Sequence, residues 1–81
     1  LEAWETLVHR VRTDGGTVVG GGTGMVSVWA PAALYGDPML LAVWQAKWIP
    51  YIQSLGLHAY PGKAPRAVVV IDPAVELGLK S

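Results

Sequence analysis

Asp37-Pro38 and Gly56 bracket the most apolar stretch of the chain, and that bracket constrains the fold more than any other feature. Asp is a good N-cap, Pro suits the first helical position, and Gly supplies a helix exit, so a helix is predicted from about residue 38 to Leu55. Leu40, Leu41, Trp44, Trp48, Tyr51, Ile52 and Leu55 fall within one wide stripe. Lys47, Pro50, Gln53 and Ser54 lie on the opposite side. A proline on that side would bend the helix around whatever its apolar face covers. The wider stretch, Met39 to Leu57, is broken by Gln45, Lys47, Pro50 and Gln53. It therefore falls short of the about 20 apolar residues of a spanning helix.

Residues 2–13 predict a second helix, with Trp4, Leu7, Val8 and Val11 on one side and Glu2, Glu5, His9 and Arg12 on the other. Asp14-Gly15-Gly16 should end it. Residues 17–30 predict a β-hairpin, with Thr17-Val18-Val19 and Met25-Val26-Ser27-Val28-Trp29 as its arms. Six of the ten glycines lie between residues 15 and 24, which marks a flexible tip or a place where another backbone or a ligand comes close. Residues 57–65 are predicted as a loop, with Pro61-Gly62 at the centre of a type II turn. Arg66 to Ile71 is a strand apolar on both faces, hence central or covered. Asp72-Pro73 breaks it. Beyond that, Val75, Leu77 and Leu79 alternate with Glu76, Gly78 and Lys80 as a half-buried strand would, although Asp-Pro can also start a short helix. The expected fold is one small α+β domain over residues 1–81, with two helices packed on a small antiparallel sheet in the order α-ββ-α-ββ.

The composition narrows function by exclusion. A 52% hydrophobic, 15% charged chain of zero net charge is no disordered segment and no polybasic nucleic-acid binder. The absence of Cys removes disulfide scaffolds, thiolate metal sites and cysteine nucleophiles. Leu1-Glu2-Ala3-Trp4-Glu5 lacks the basic opening and apolar run of a signal peptide. The expectation is a soluble chain, cytoplasmic or virion-associated.

Gly20, Gly21, Gly22, Thr23 and Gly24 form a candidate anion-binding loop, because successive backbone N–H groups can cradle a phosphate. The dinucleotide spacing Gly-x-Gly-x-x-Gly fails, since counting from Gly20 the last position is Met25. The five residues resemble the Gly-Gly-Gly-Thr-Gly loop of tubulin-like GTPases. That resemblance, which would imply nucleotide binding, spans five residues and assigns no family. A Walker loop fails from Gly56 to Lys63, with one intervening residue too many and Ala64 where Ser or Thr is required.

Catalytic and metal candidates are few. Glu5 and His9 stand four apart as an exposed helical pair. Ser27 or Ser54 with His58 and Asp72 has no Gly-x-Ser-x-Gly context. His58, Tyr60, Lys63 and Arg66 are the best polar and aromatic mixture for a ligand. No catalytic residue, metal site or cofactor is assigned from these.

Four Trp and three Tyr without a single Phe crowd the core available to 81 residues. Trp and Tyr are also the aromatics enriched where surfaces meet another chain. The leading expectation is a non-catalytic assembly subunit of a homo-oligomer or a larger particle, such as a virion component or an accessory subunit. Its partner would be itself or another protein, with Leu41, Trp44, Trp48, Tyr51, Ile52 and Trp29 as candidate interface residues. The alternative is a small module holding a phosphate or nucleotide at Gly20–Gly24.

Overall fold

In the computed structural model, residues 2–20, 24–76 and 78 are described. Helix α1 spans Glu2–Thr13, strands β1 and β2 span Thr17–Gly20 and Met25–Trp29, and a 3-10 turn covers Ala32–Leu34. Helix α2 (Pro38–Ser54), strands β3 (Ala59–Pro61) and β4 (Ala67–Ile71), and a one-turn helix α3 (Pro73–Glu76) follow. The strands form one antiparallel sheet in the order β1-β2-β4-β3. The expected α+β architecture, with two main helices on one small sheet, is what the chain adopts, and α3 is added to it.

Each long helix is punctuated as its termini require. At the end of α1, Gly15 takes a φ of 91°, Gly15 N donates to Arg12 O at 3.0 Å, and Gly16 N donates to Val11 O at 2.9 Å. That pair of bonds is a Schellman motif, which satisfies carbonyls the helix end would otherwise leave open. At the start of α2, Asp37 Oδ1 accepts from Met39 N at 3.1 Å and Leu40 N at 3.2 Å. Asp37→Ala is expected to cost about 1 kcal/mol, a drop of roughly 4–8 °C in melting temperature for a domain of this size. A thermal melt that matches the parent would remove the cap from the account of α2.

The core lies between the helices and one face of the sheet. Leu7 and Val11 of α1 and Leu41, Trp44, Trp48 and Ile52 of α2 are buried with Val28, Val68, Val70 and Ala59 of the sheet. The register explains this, because Val18, Val28 and Val68 lie side by side on three strands, and Val26, Val70 and Ala59 form the next row. Leu40, expected within the α2 stripe, is instead exposed. At 100° per residue it sits well to one side of the line through Leu41, Trp44 and Trp48.

Two readings of the C-terminal third need correction. The second strand pair comprises β3 and β4, not β4 and a strand from residue 74. Pro73–Glu76 is helical, with Asp72 Oδ1 accepting from Ala74 N at 2.9 Å. The Asp-Pro start signal prevailed over the alternation of Val75 with its neighbours; Leu77 and residues 79–81 lie outside the description. Pro61-Gly62 is not the centre of a type II turn, since that turn needs a positive φ that Gly62 lacks. Pro61 ends edge strand β3, where a missing N–H is tolerated. Gly62 N donates to Ala67 O at 3.0 Å, and a Cβ on Gly62 would come within 2.8 Å of that same oxygen.

Candidate functional site: two uncovered apolar faces

Of the six candidate interface residues, four are spent inside the domain. Leu41, Trp44, Trp48 and Ile52 pack against the sheet and present almost no surface. Tyr51 is half-buried, meeting the Trp48 ring edge-on at 5.5 Å between centroids. Trp29 is also half-buried, and it lies on the side of the sheet away from the helices. The physical reason is simple. A two-layer fold this small needs its largest rings to fill the only interior it has.

The surface of α2 that faces outward was missed by the sequence reading. Met39, Ala42, Val43, Ala46 and Pro50 recur at helical spacing on the side opposite Trp44 and Trp48, and all are exposed. Met39 is 76% and Val43 60% exposed. Gln53 and Ser54 continue this face at the C-terminal turn, with Lys47 beside it. A surface helix ordinarily carries charged and polar groups there, and one apolar all round is usually covered on both sides. The signal was present in the sequence, because Met39, Val43, Ala46 and Pro50 follow each other at intervals of four, three and four.

The far side of the sheet is uncovered too. The register aligns Val19, Ser27, Val69 and Tyr60 in one row across all four strands, with Met25 and Ile71 on one flank and Thr17, Trp29 and Ala67 on the other. Both main helices pack on the opposite face. Val19 and Tyr60 are each 53% exposed and Met25 47%. The apolar reading of both faces of β4 therefore holds, and β4 is central in the sheet; on its second face Val69 and Ile71 are partly exposed and Ala67 is buried.

The described ligand candidates are dispersed over the fold. Gly20 closes β1 opposite Val26, and Gly24 has a φ of 81° with its carbonyl accepting from Asp72 N. Gly21, Gly22 and Thr23 lie outside the described residues. The chain leaving this loop is strand β2 rather than a phosphate-binding helix. His58 Nδ1 pairs with Glu76 Oε1 at 3.0 Å on the surface, while the Arg66 guanidinium sits 5.0 Å from the Tyr35 ring centre. His58 and Tyr60 share an open hollow of about 280 Å³ that neither Lys63 nor Arg66 lines. Ser54 Oγ donates to Tyr51 O, Asp72 caps α3 and His58 pairs with Glu76, while Ser27 lies on the side of the sheet away from the helices. Another hollow of about 280 Å³ between α1 and α2 mixes Arg10 and Lys47 with Asp14, beside Trp48 and Tyr51. Among the described residues, no three of His, Cys, Asp and Glu are grouped to hold a metal ion. No described helix is long and apolar enough to cross a membrane.

Fold and surface together define a class: a small two-layer α+β domain with an apolar stripe on the outward side of α2 and a largely apolar far side of the sheet, while α1 turns Glu5, His9 and Arg12 outward. No family model, no curated protein and no solved structure matches the chain.

Proposed function

We propose that the protein is a non-catalytic assembly subunit that packs into a homo-oligomer or a larger multi-chain particle, using the outward face of α2. The observation that carries this reading is the exposed stripe of Met39, Ala42, Val43, Ala46 and Pro50 on a helix already apolar on its inner side. Burying a side chain such as Val43 contributes roughly 1.5–3 kcal/mol. The chain carries no net charge, six acidic against six basic residues, so like subunits meet without long-range repulsion.

Absolute mass by light scattering over a range of concentrations tests this. The parent is expected to be multimeric. Val43→Glu would place a carboxylate in the contact and weaken association by at least about tenfold. Its melting in dilute solution should match the parent, because Val43 lies outside the core. A parent that stays monomeric throughout would overturn the proposal.

A further inference from the structure

We infer that the hollow between α1 and α2 is a binding site for a free aromatic α-amino acid. The inference goes beyond the assembly reading and does not depend on it, because none of Met39, Ala42, Val43, Ala46 and Pro50 lines this hollow.

The fold makes the hollow by setting its helices apart. Helix α1 packs on β1 and α2 on β3 and β4, at opposite sides of a sheet ordered β1-β2-β4-β3. Arg10, Thr13 and Asp14 line the gap from the end of α1, at the three- and four-residue spacing that shares one helix face. Lys47, Trp48 and Tyr51 line it from α2. Its volume is about 280 Å³. That is the small end of ligand sites, which run from about 300 to 1,000 Å³, and it suits a metabolite.

The side chains define the ligand. Arg10, Lys47 and Asp14 are all exposed, and among the described residues none of them forms an ion pair. Opposite charges that share a hollow without meeting can be joined by a molecule carrying both signs. A carboxylate paired with Arg10 and Lys47 and an ammonium paired with Asp14 satisfy all three, and the Arg10 fork matches a carboxylate. A plain anion would gain the two cations but be repelled by Asp14, and a plain cation would meet two like charges. Beside the charged groups are two rings, the buried Trp48 and the half-buried Tyr51, edge-on at 5.5 Å between centroids. Lys47 Nζ stands 5.7 Å from the centre of the Trp48 ring, so charge and aromatic surface adjoin. A ring on the ligand extends that edge-to-face arrangement.

Titration of isotope-labelled protein followed by NMR tests the inference. L-phenylalanine is the probe, with hydrocinnamate, which lacks the ammonium, and phenethylamine, which lacks the carboxylate. The reporters are the main-chain signals of residues 10–14 and 47–51 and the Trp48 indole N–H, which is buried without a partner among the described residues. Phenylalanine is expected to shift these signals saturably. Each analogue should bind about two- to fivefold more weakly, the worth of one exposed ion pair. Asp14→Asn should weaken phenylalanine by a similar factor and strengthen hydrocinnamate, since it removes a charge that attracts the one and repels the other. Arg10→Gln should weaken phenylalanine and hydrocinnamate alike and leave phenethylamine no weaker. Both residues lie outside the core, so both variants should melt like the parent, and either alone carries the test. Signals unmoved by millimolar phenylalanine would overturn the site. Equal affinity for all three compounds, or an Asp14→Asn variant that weakens phenylalanine and hydrocinnamate equally, would overturn the amino-acid assignment.

Discussion

Trp48→Ala is expected to remove much of the stability of the fold, at any protein concentration. Trp48 is buried between α2 and the sheet, in contact range of Trp44 at 6.5 Å and Tyr51 at 5.5 Å between ring centroids. Truncating a buried Trp costs about 3–5 kcal/mol, against a total of roughly 4–12 kcal/mol for a domain of this length. Chemical denaturation should show the midpoint falling steeply, and an effect that vanished on dilution would instead place Trp48 between subunits. A second variant separates ring from donor. Trp48 Nε1 is buried without a hydrogen-bond partner among the described residues. A buried donor left unpaired costs about 1–3 kcal/mol. Trp48→Phe keeps an aromatic ring and deletes that donor, so it should destabilise far less than Trp48→Ala.

Gly16→Ala should be the most damaging of the small changes. A Cβ at residue 16 would lie 2.5 Å from the Trp29 carbonyl oxygen and 3.1 Å from Val11 Cγ1. The first of these is main chain of a central strand, which cannot turn away as a side chain would. Relief requires α1 and β2 to separate, at a cost of about 1–3 kcal/mol or more. Gly15→Ala offers the contrast. Its Cβ would meet only Pro31 at 3.7 Å, so its cost arises from the φ of 91° alone, about 1–2 kcal/mol. Denaturation midpoints in the order parent, Gly15→Ala, Gly16→Ala are expected. A Gly16→Ala protein as stable as the parent would refute the close approach.

Those glycines show how a correct local reading can leave its consequence open. The cluster from residue 15 to 24 marked either a flexible tip or a close backbone approach. At Gly16 the approach is real, and its partner is Trp29, thirteen residues later. No local pattern names that partner, because the pairing of Thr17 with Trp29 brings it there. The ligand candidates met the same limit. His58 and Arg66 read as neighbours in sequence, yet the fold gives them Glu76 and Tyr35 as partners.

Helices α1 and α2 were determined by the sequence itself. Their spacing, the Asp37 cap and the Gly15 and Gly56 exits act within a few residues, and these local terms suffice to place both ends. So does the hairpin of β1 and β2. Strand β3 is different, for Ala59-Tyr60-Pro61 is too short to declare itself and exists through its bonds to β4. The tertiary structure also decided which faces are buried. Helix α2 is apolar on both sides and β4 on both faces, so periodicity supplies no direction, and the side covered is the one that lets Trp44 and Trp48 meet the valines of the sheet. The opposite sides were left outward by the same choice, since two layers enclose only one interior.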